Sequence, residues 1–196
     1  MPKDPTKSPG LKPFKITCTS SDCNNGLHCF KKSRKMAEVE RGRCRSCGTE
    51  LIDWQRVQKR DVADVQFTFS SLRNEFVRHH FWHKQIDKRA ENYARRKGRS
   101  GLQIAIRNRL VTCLSLDNPY DGIQTPYEGN IIFYAQHAVA CCCRACLEYW
   151  HGIPKNTTLS DQEINYLTQL ITLYIDDRLP DLAETGQRIP SIRVKS

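Results

Sequence analysis

No stretch of this 196-residue chain approaches the roughly 18–20 consecutive apolar residues that cross a bilayer as a helix. Apolar runs such as "IIFYA" at 131–135 are of strand length. The opening "MPKDPTKSPGLKPFK" lacks the apolar segment that a secretory leader needs. These absences predict a cytoplasmic protein with no membrane partner. In such a compartment the ten cysteines are expected to be metal ligands or core thiols rather than disulfides. Internal repeats and low-complexity tracts are also missing, which argues against a solenoid or a disordered chain. The sequence has no H-E-x-x-H pattern, so the usual signature of a zinc hydrolase is absent too.

What the chain has is positive charge, unevenly placed. Residues 1–109 hold 25 Lys+Arg against 11 Asp+Glu, a balance of +14, whereas residues 110–196 hold 6 against 10, a balance of −4. Clustered cations beside a mildly acidic half point to a polyanion contacted by one part of the molecule, and nucleic acid is the expected partner. Hydrophobic residues make up 39% of the chain, which suits a folded protein.

The chain divides into four stretches. Residues 1–15, rich in proline and lysine, read as a flexible basic arm. Residues 16–54 carry cysteines among turn residues and read as a zinc ribbon. Residues 55–180 show apolar residues at 3–4-residue spacing and read as a helical domain, with residues 181–196 as an extended tail. Within the helical domain Gly98 and Gly101 are expected to break one helix from the next. Ser160 and Glu163 have the spacing of a capping box before the strongest helical pattern in the chain, and "NIIFYAQHAVACCCRACLEYWHGI" reads as a short strand or helix start followed by a helix of roughly three turns ending near "GIP". The fold class expected is mainly α with a small β zinc ribbon at the N-terminus (α+β).

"CTSSDC" and "CRSCG" supply the two knuckles of a ribbon: Cys18 and Cys23, then Cys44 and Cys47. Two tight turns, each carrying a pair of thiolates, can converge tetrahedrally on one Zn2+. Gly48, directly after Cys47, suits the positive φ that such a turn requires. His28 and Cys29 lie between the knuckles and compete as ligands. A segment this small and polar needs the metal's binding energy to fold. Between the knuckles Lys31, Lys32, Arg34, Lys35, Arg41, Arg43 and Arg45 offer phosphate contacts. A second basic patch follows at Arg89, Arg95, Arg96, Lys97 and Arg99.

Glu75, His79, His83 and Asp87 recur every four residues along one helix face. Such a row can chelate a metal, but it is more often a set of ordinary polar pairs on a solvated face, and that reading is preferred. The stretch "HAVACCCRACLEYWH", 137–151, is richer. On a helix Cys143 and Cys146 are i, i+3, and Cys142 and Cys146 are i, i+4. His137 and His151 flank them, so that a second, mixed N/S zinc site of His137, Cys142, Cys143, Cys146 and His151 is the expectation. A reactive thiol pair and a plain packed helix are the alternatives.

Residues 112–178 resemble a small, uncharacterised bacterial and phage family, a domain of unknown function. The resemblance is carried by Gln124, Thr125 and Pro126; Gln136 and His137; Cys142, Cys143, Arg144, Cys146 and Leu147; and Trp150 and His151. In that family's pattern the position of Cys141 is usually threonine, which removes Cys141 as a ligand. The resemblance brings no activity with it, and leaves the ribbon and the His-rich helix outside its span. Taken together, the sequence predicts a zinc-stabilised nucleic-acid-binding protein, for DNA or RNA, whose C-terminal domain carries a second metal or meets a protein partner. The alternative is a metal-dependent enzyme acting on nucleic acid or a nucleotide, with His79, His83, His137 and His151 as ligands or general acid/base groups.

Overall fold

The computed structural model describes residues 23–24, 28–30, 36–114 and 125–190. Seven α-helices build these residues: α1 (Trp54–Gln58), α2 (Val65–Leu72), α3 (Phe76–His83), α4 (Lys88–Cys113), α5 (Ile131–Ala138), α6 (Arg144–His151) and α7 (Asp161–Arg178). Short polar residues start most of them by capping first-turn amides. Asp53, Glu75, Asp87 and Asn130 each accept hydrogen bonds from backbone N–H groups at the start of α1, α3, α4 and α5. At α7 the capping box forms as its sequence predicts: Glu163 N–H donates to Ser160 Oγ at 3.2 Å, and Ser160 N–H donates to Glu163 Oε2 at 2.9 Å.

Helix α7 is the centre of the molecule. Helices α2, α4 and α5 pack on it, and α3 packs on α5. Ile164, Leu167, Leu170, Ile171, Tyr174 and Ile175 are buried along it, and so are Tyr166 and Thr168, because neighbours surround more than one face. Helix α1 packs on α6, where the Trp54 and Trp150 rings meet, tilted by 34°, at 5.4 Å between centroids.

Helix α4 carries the expected glycine break, at Gly98 alone. Gly98 has φ +65° and ψ 175°, while Gly101 stays helical. The tail docks into this kink: Arg99 N–H donates to Ala183 O at 3.0 Å, Ser100 N–H to Glu184 O at 3.1 Å, and Gln187 N–H to Arg95 O at 2.8 Å. A Cβ built at Gly98 would lie 2.4 Å from the Thr185 carbonyl carbon, so only glycine fits.

The α+β expectation is wrong. Among the described residues there is no strand or sheet, only two isolated bridges, Phe30 with Glu75 and Arg43 with Glu50, and the fold is mainly α. The backbone near the knuckles is used elsewhere. Phe30 N–H donates to Asn74 O and Phe76 N–H to Phe30 O, so Phe30 pairs with the start of α3. Residues 38–40 form a 3₁₀ turn. The stretch read as a strand or helix start followed by a three-turn helix also differs. It is two helices, α5 and α6, joined by a turn at 139–143 in which Ala140 has φ +57°. The predicted end at "GIP" is present: Gly152, at φ +64°, closes α6.

Candidate metal centres

The first cysteine set gathers around a turn. Cys44 accepts Gly48 N–H at 2.9 Å through its carbonyl and donates its own N–H to Thr49 O at 2.8 Å. Gly48 takes the positive φ, +74°, that its place after Cys47 requires. The turn brings Cys23, His28, Cys44 and Cys47 together, with one ligand atom of each within 4.8 Å of all the others. Cys23 Sγ lies 3.6 Å from Cys44 Sγ, and Cys47 Sγ lies 3.4 Å from His28 Nδ1. A tetrahedral zinc with Zn–S bonds of about 2.3 Å sets its sulfurs about 3.8 Å apart, so the spacing fits co-ligands. The cluster can hold a metal ion, and zinc suits its three sulfurs and one imidazole.

Electrostatics at this turn favour thiolate. Burial pushes the Cys44 thiol up, but the backbone N–H groups of Cys47, Ser46 and Cys29 and the His28 ring outweigh it and bring the pKa down to about 5. The Thr49 hydroxyl and N–H lower Cys47, and the Cys44 and Cys47 sulfurs raise His28. Cys18 lies outside the described residues, as do Lys31, Lys32, Arg34 and Lys35. His28, four intervening residues after Cys23, joins the group without having been among the four ligands expected from the sequence.

The second set converges at the turn between α5 and α6. Cys142, Cys143 and Cys146 each bring a sulfur within 4.8 Å of the others, with Cys142 and Cys146 Sγ 3.5 Å apart. Cys143 is the N-cap of α6. Its thiol is pushed far down, first by the Cys142 and Cys146 thiols and then by the N–H groups of Cys146 and Ala145, while Cys142 is pushed up by the same shared bonds. The trio thus shares charge as one unit. Cys141 is 0% exposed in the apolar core and is not in the group.

His137 and His151 do not join these sulfurs. The His137 ring packs on Phe81, at 4.5 Å, and on Tyr127, at 4.8 Å, in one three-ring cluster, and its Nε2 lies 2.9 Å from Thr125 O. His151 Nε2 lies 3.0 Å from Val139 O, and its Nδ1 lies 3.2 Å from the Tyr166 hydroxyl. Burial holds both imidazoles down at a pKa of about 4, so both are neutral near pH 7. They brace the turn. Other buried side chains do the same: Gln136 Nε2 donates to Cys141 O at 3.1 Å, and Thr125 Oγ1 donates to Cys142 O at 2.7 Å.

The sequence reading missed Arg78 and saw Glu75 only as part of a histidine row. Glu75 instead caps α3 and pairs at 3.2 Å with Arg78, whose Nη1 donates to the His137 carbonyl. Arg78 also faces Cys142 and Cys146. A lone arginine among the apolar residues of "EFVRHHFW" was the one signal, and spacing alone gave it no partner across 59 residues of chain. His79 and His83 are exposed, with rings 4.2 Å apart, and belong to no metal group among the described residues. Asp87 caps α4 and accepts from the Tyr134 hydroxyl at 2.9 Å.

In the second basic patch, Arg95 pairs with Glu91 at 3.0 Å and with Asp181 at 2.8 Å, and Arg99 pairs with Asp176 and donates to Leu182 O. These two arginines fasten the tail. Arg96 and Lys97 are exposed. Arg43, also exposed, donates to Val39 O.

A family described as a domain of unknown function, DUF4186, matches residues 66–176. The chain belongs to DUF4186. The match covers α2 to α7 and so includes the His-rich helix, which the sequence resemblance left outside. The second cysteine set, its bracing residues and Arg78 are all inside the DUF4186 domain, and the first set precedes it. No solved structure matches the chain. Among the described residues no helix is long and apolar enough to cross a membrane.

Proposed function

We propose that this DUF4186 protein is a zinc-stabilised nucleic-acid-binding protein. The observation that carries the zinc reading is the convergence of Cys23, His28, Cys44 and Cys47 on one point at co-ligand spacing. Cys18 is the alternative fourth ligand by spacing. The nucleic-acid reading rests on the +14 balance of residues 1–109 and on exposed cations such as Arg43, Arg96 and Lys97. Lys31, Lys32, Arg34 and Lys35 sit between the ligands in sequence, where a zinc-held segment would present them to phosphates. Arg95 and Arg99 contribute less, because each already has an acidic partner.

The test is a salt series on zinc-loaded protein with a mixed-sequence oligonucleotide. Each phosphate contact releases counterions, so the logarithm of the affinity should fall steeply and linearly with the logarithm of salt. Neutralising Arg96 and Lys97 together should flatten that slope by roughly one to two contacts without changing thermal stability. Affinity that stays constant from low to physiological salt removes the nucleic-acid reading and leaves the zinc reading standing.

A further inference from the structure

The turn at 139–143 is held in a way that a connection between two helices does not require. Four of its carbonyls or near neighbours receive buried side-chain donors: His137 O from Arg78, Val139 O from His151, Cys141 O from Gln136 and Cys142 O from Thr125. Every one of these donor residues is buried, between 0% and 7% exposed. Ala140 meanwhile sits at φ +57°, a conformation disfavoured for any residue with a Cβ by roughly 1–2 kcal/mol. Were the helix continuous, Cys142 and Cys143 would point to different sides of it. The braced turn instead brings both to Cys146.

We propose that Cys142, Cys143 and Cys146 form a second metal site, a three-thiolate centre for a thiophilic ion of the zinc class, with a fourth coordination position open to a small exogenous ligand. The donor set is sulfur only, which selects soft and borderline ions over magnesium or calcium. The 3.5 Å between Cys142 and Cys146 sulfurs is close to the roughly 3.8 Å of zinc co-ligands. No fourth His, Cys, Asp or Glu among the described residues joins the group, and Cys143 and Cys146 are partly exposed, which gives the open position a route to solvent. Arg78, shared between Glu75 and the thiols, puts positive charge on the buried side, where three thiolates around a dication leave an excess negative charge. Cys143 and Cys146 also have the C-x-x-C spacing of a redox dithiol, but a dithiol does not need the third sulfur at equal reach. The site is independent of the first cluster and of nucleic acid.

The experiment is zinc and cobalt counting on reduced, full-length protein. Wild type should bind two equivalents. The triple variant Cys142→Ser, Cys143→Ser, Cys146→Ser should bind one and lose the cobalt–thiolate charge transfer of three bonds. The double variant Cys44→Ser, Cys47→Ser should keep that charge transfer. Thr125→Val leaves every sulfur in place and loosens only the turn; it should weaken the second equivalent by roughly 10–100-fold. Thr125→Val therefore still tests the site if the triple variant fails to fold. Two equivalents retained in the triple variant overturn the proposal, as does a single equivalent that disappears with Cys44 and Cys47. A Cys143–Cys146 disulfide that forms in a glutathione buffer and excludes metal also overturns it, and assigns the thiols to redox exchange with a low-molecular-weight disulfide.

Discussion

Single residues here carry structural duties that their chemistry only half announces. His137 and His151 look like ligands in the sequence and act as neutral braces in the fold, because burial removes the solvation that a second proton would need. Both sit at about 4 when folded against about 6.5 when unfolded. As pH falls below about 6.5 the unfolded chain takes up protons that the folded one refuses, so stability present at neutral pH is lost progressively down to about pH 4. The loss is about 3 kcal/mol for each histidine. Arg78 adds to the effect at His137, and Arg60 and Arg78 add to it at His151, by repelling the protonated ring. Denaturation midpoints measured from pH 7 to pH 4.5 should therefore fall, and the fall should be shallower in His137→Gln and His151→Gln than in wild type. Equal slopes in all three proteins would contradict the assignment.

At the scale of elements, breaks matter more than helices. Capping residues and apolar spacing mark α7 clearly in the sequence, and Gly98 marks the bend in α4. The bend's purpose is visible only when residues 183–187 are seen lying in it. Gly98→Ala places a Cβ in a left-handed conformation and against the Thr185 backbone. It should destabilise the protein by more than about 2 kcal/mol. The tail should become the first site of limited proteolysis, while Gly101→Ala, in regular helix, should be neutral or mildly stabilising. Unchanged proteolysis of Gly98→Ala would mean that the tail does not depend on the kink. The turn between α5 and α6 could not be read the same way. No Pro or Gly interrupts "HAVACCCRAC", so its periodicity looks helical, and the donors that unwind it come from residues 78, 125, 136 and 151.

Over the whole molecule, Phe30 joins the N-terminal cluster to the DUF4186 domain. Its ring is 0% exposed and meets Trp150 at 5.7 Å, and its backbone bonds bracket Glu75, the partner of Arg78. Phe30→Ala opens a cavity in the shared core and should destabilise by about 3–5 kcal/mol. It should also weaken zinc binding at Cys44 and Cys47, since Arg45 N–H is held by Cys29 O next to Phe30. Zinc affinity unchanged in a destabilised Phe30→Ala protein would show that the cluster folds apart from the helical domain.

Composition and local spacing alone determine that this chain is largely helical, carries most of its positive charge in its first 109 residues, and has two cysteine sets able to bind metal. Those features depend on residue type and on neighbours a few positions away, which a linear pattern records. Tertiary structure decided the rest. It paired Phe30 with the start of α3, put His28 beside Cys23, Cys44 and Cys47, and set His137 and His151 to holding a turn. It also paired Arg95 and Arg99 with the tail. Each of these outcomes depends on partners far away in the chain, and a buried polar group goes wherever the fold supplies its hydrogen-bond partner.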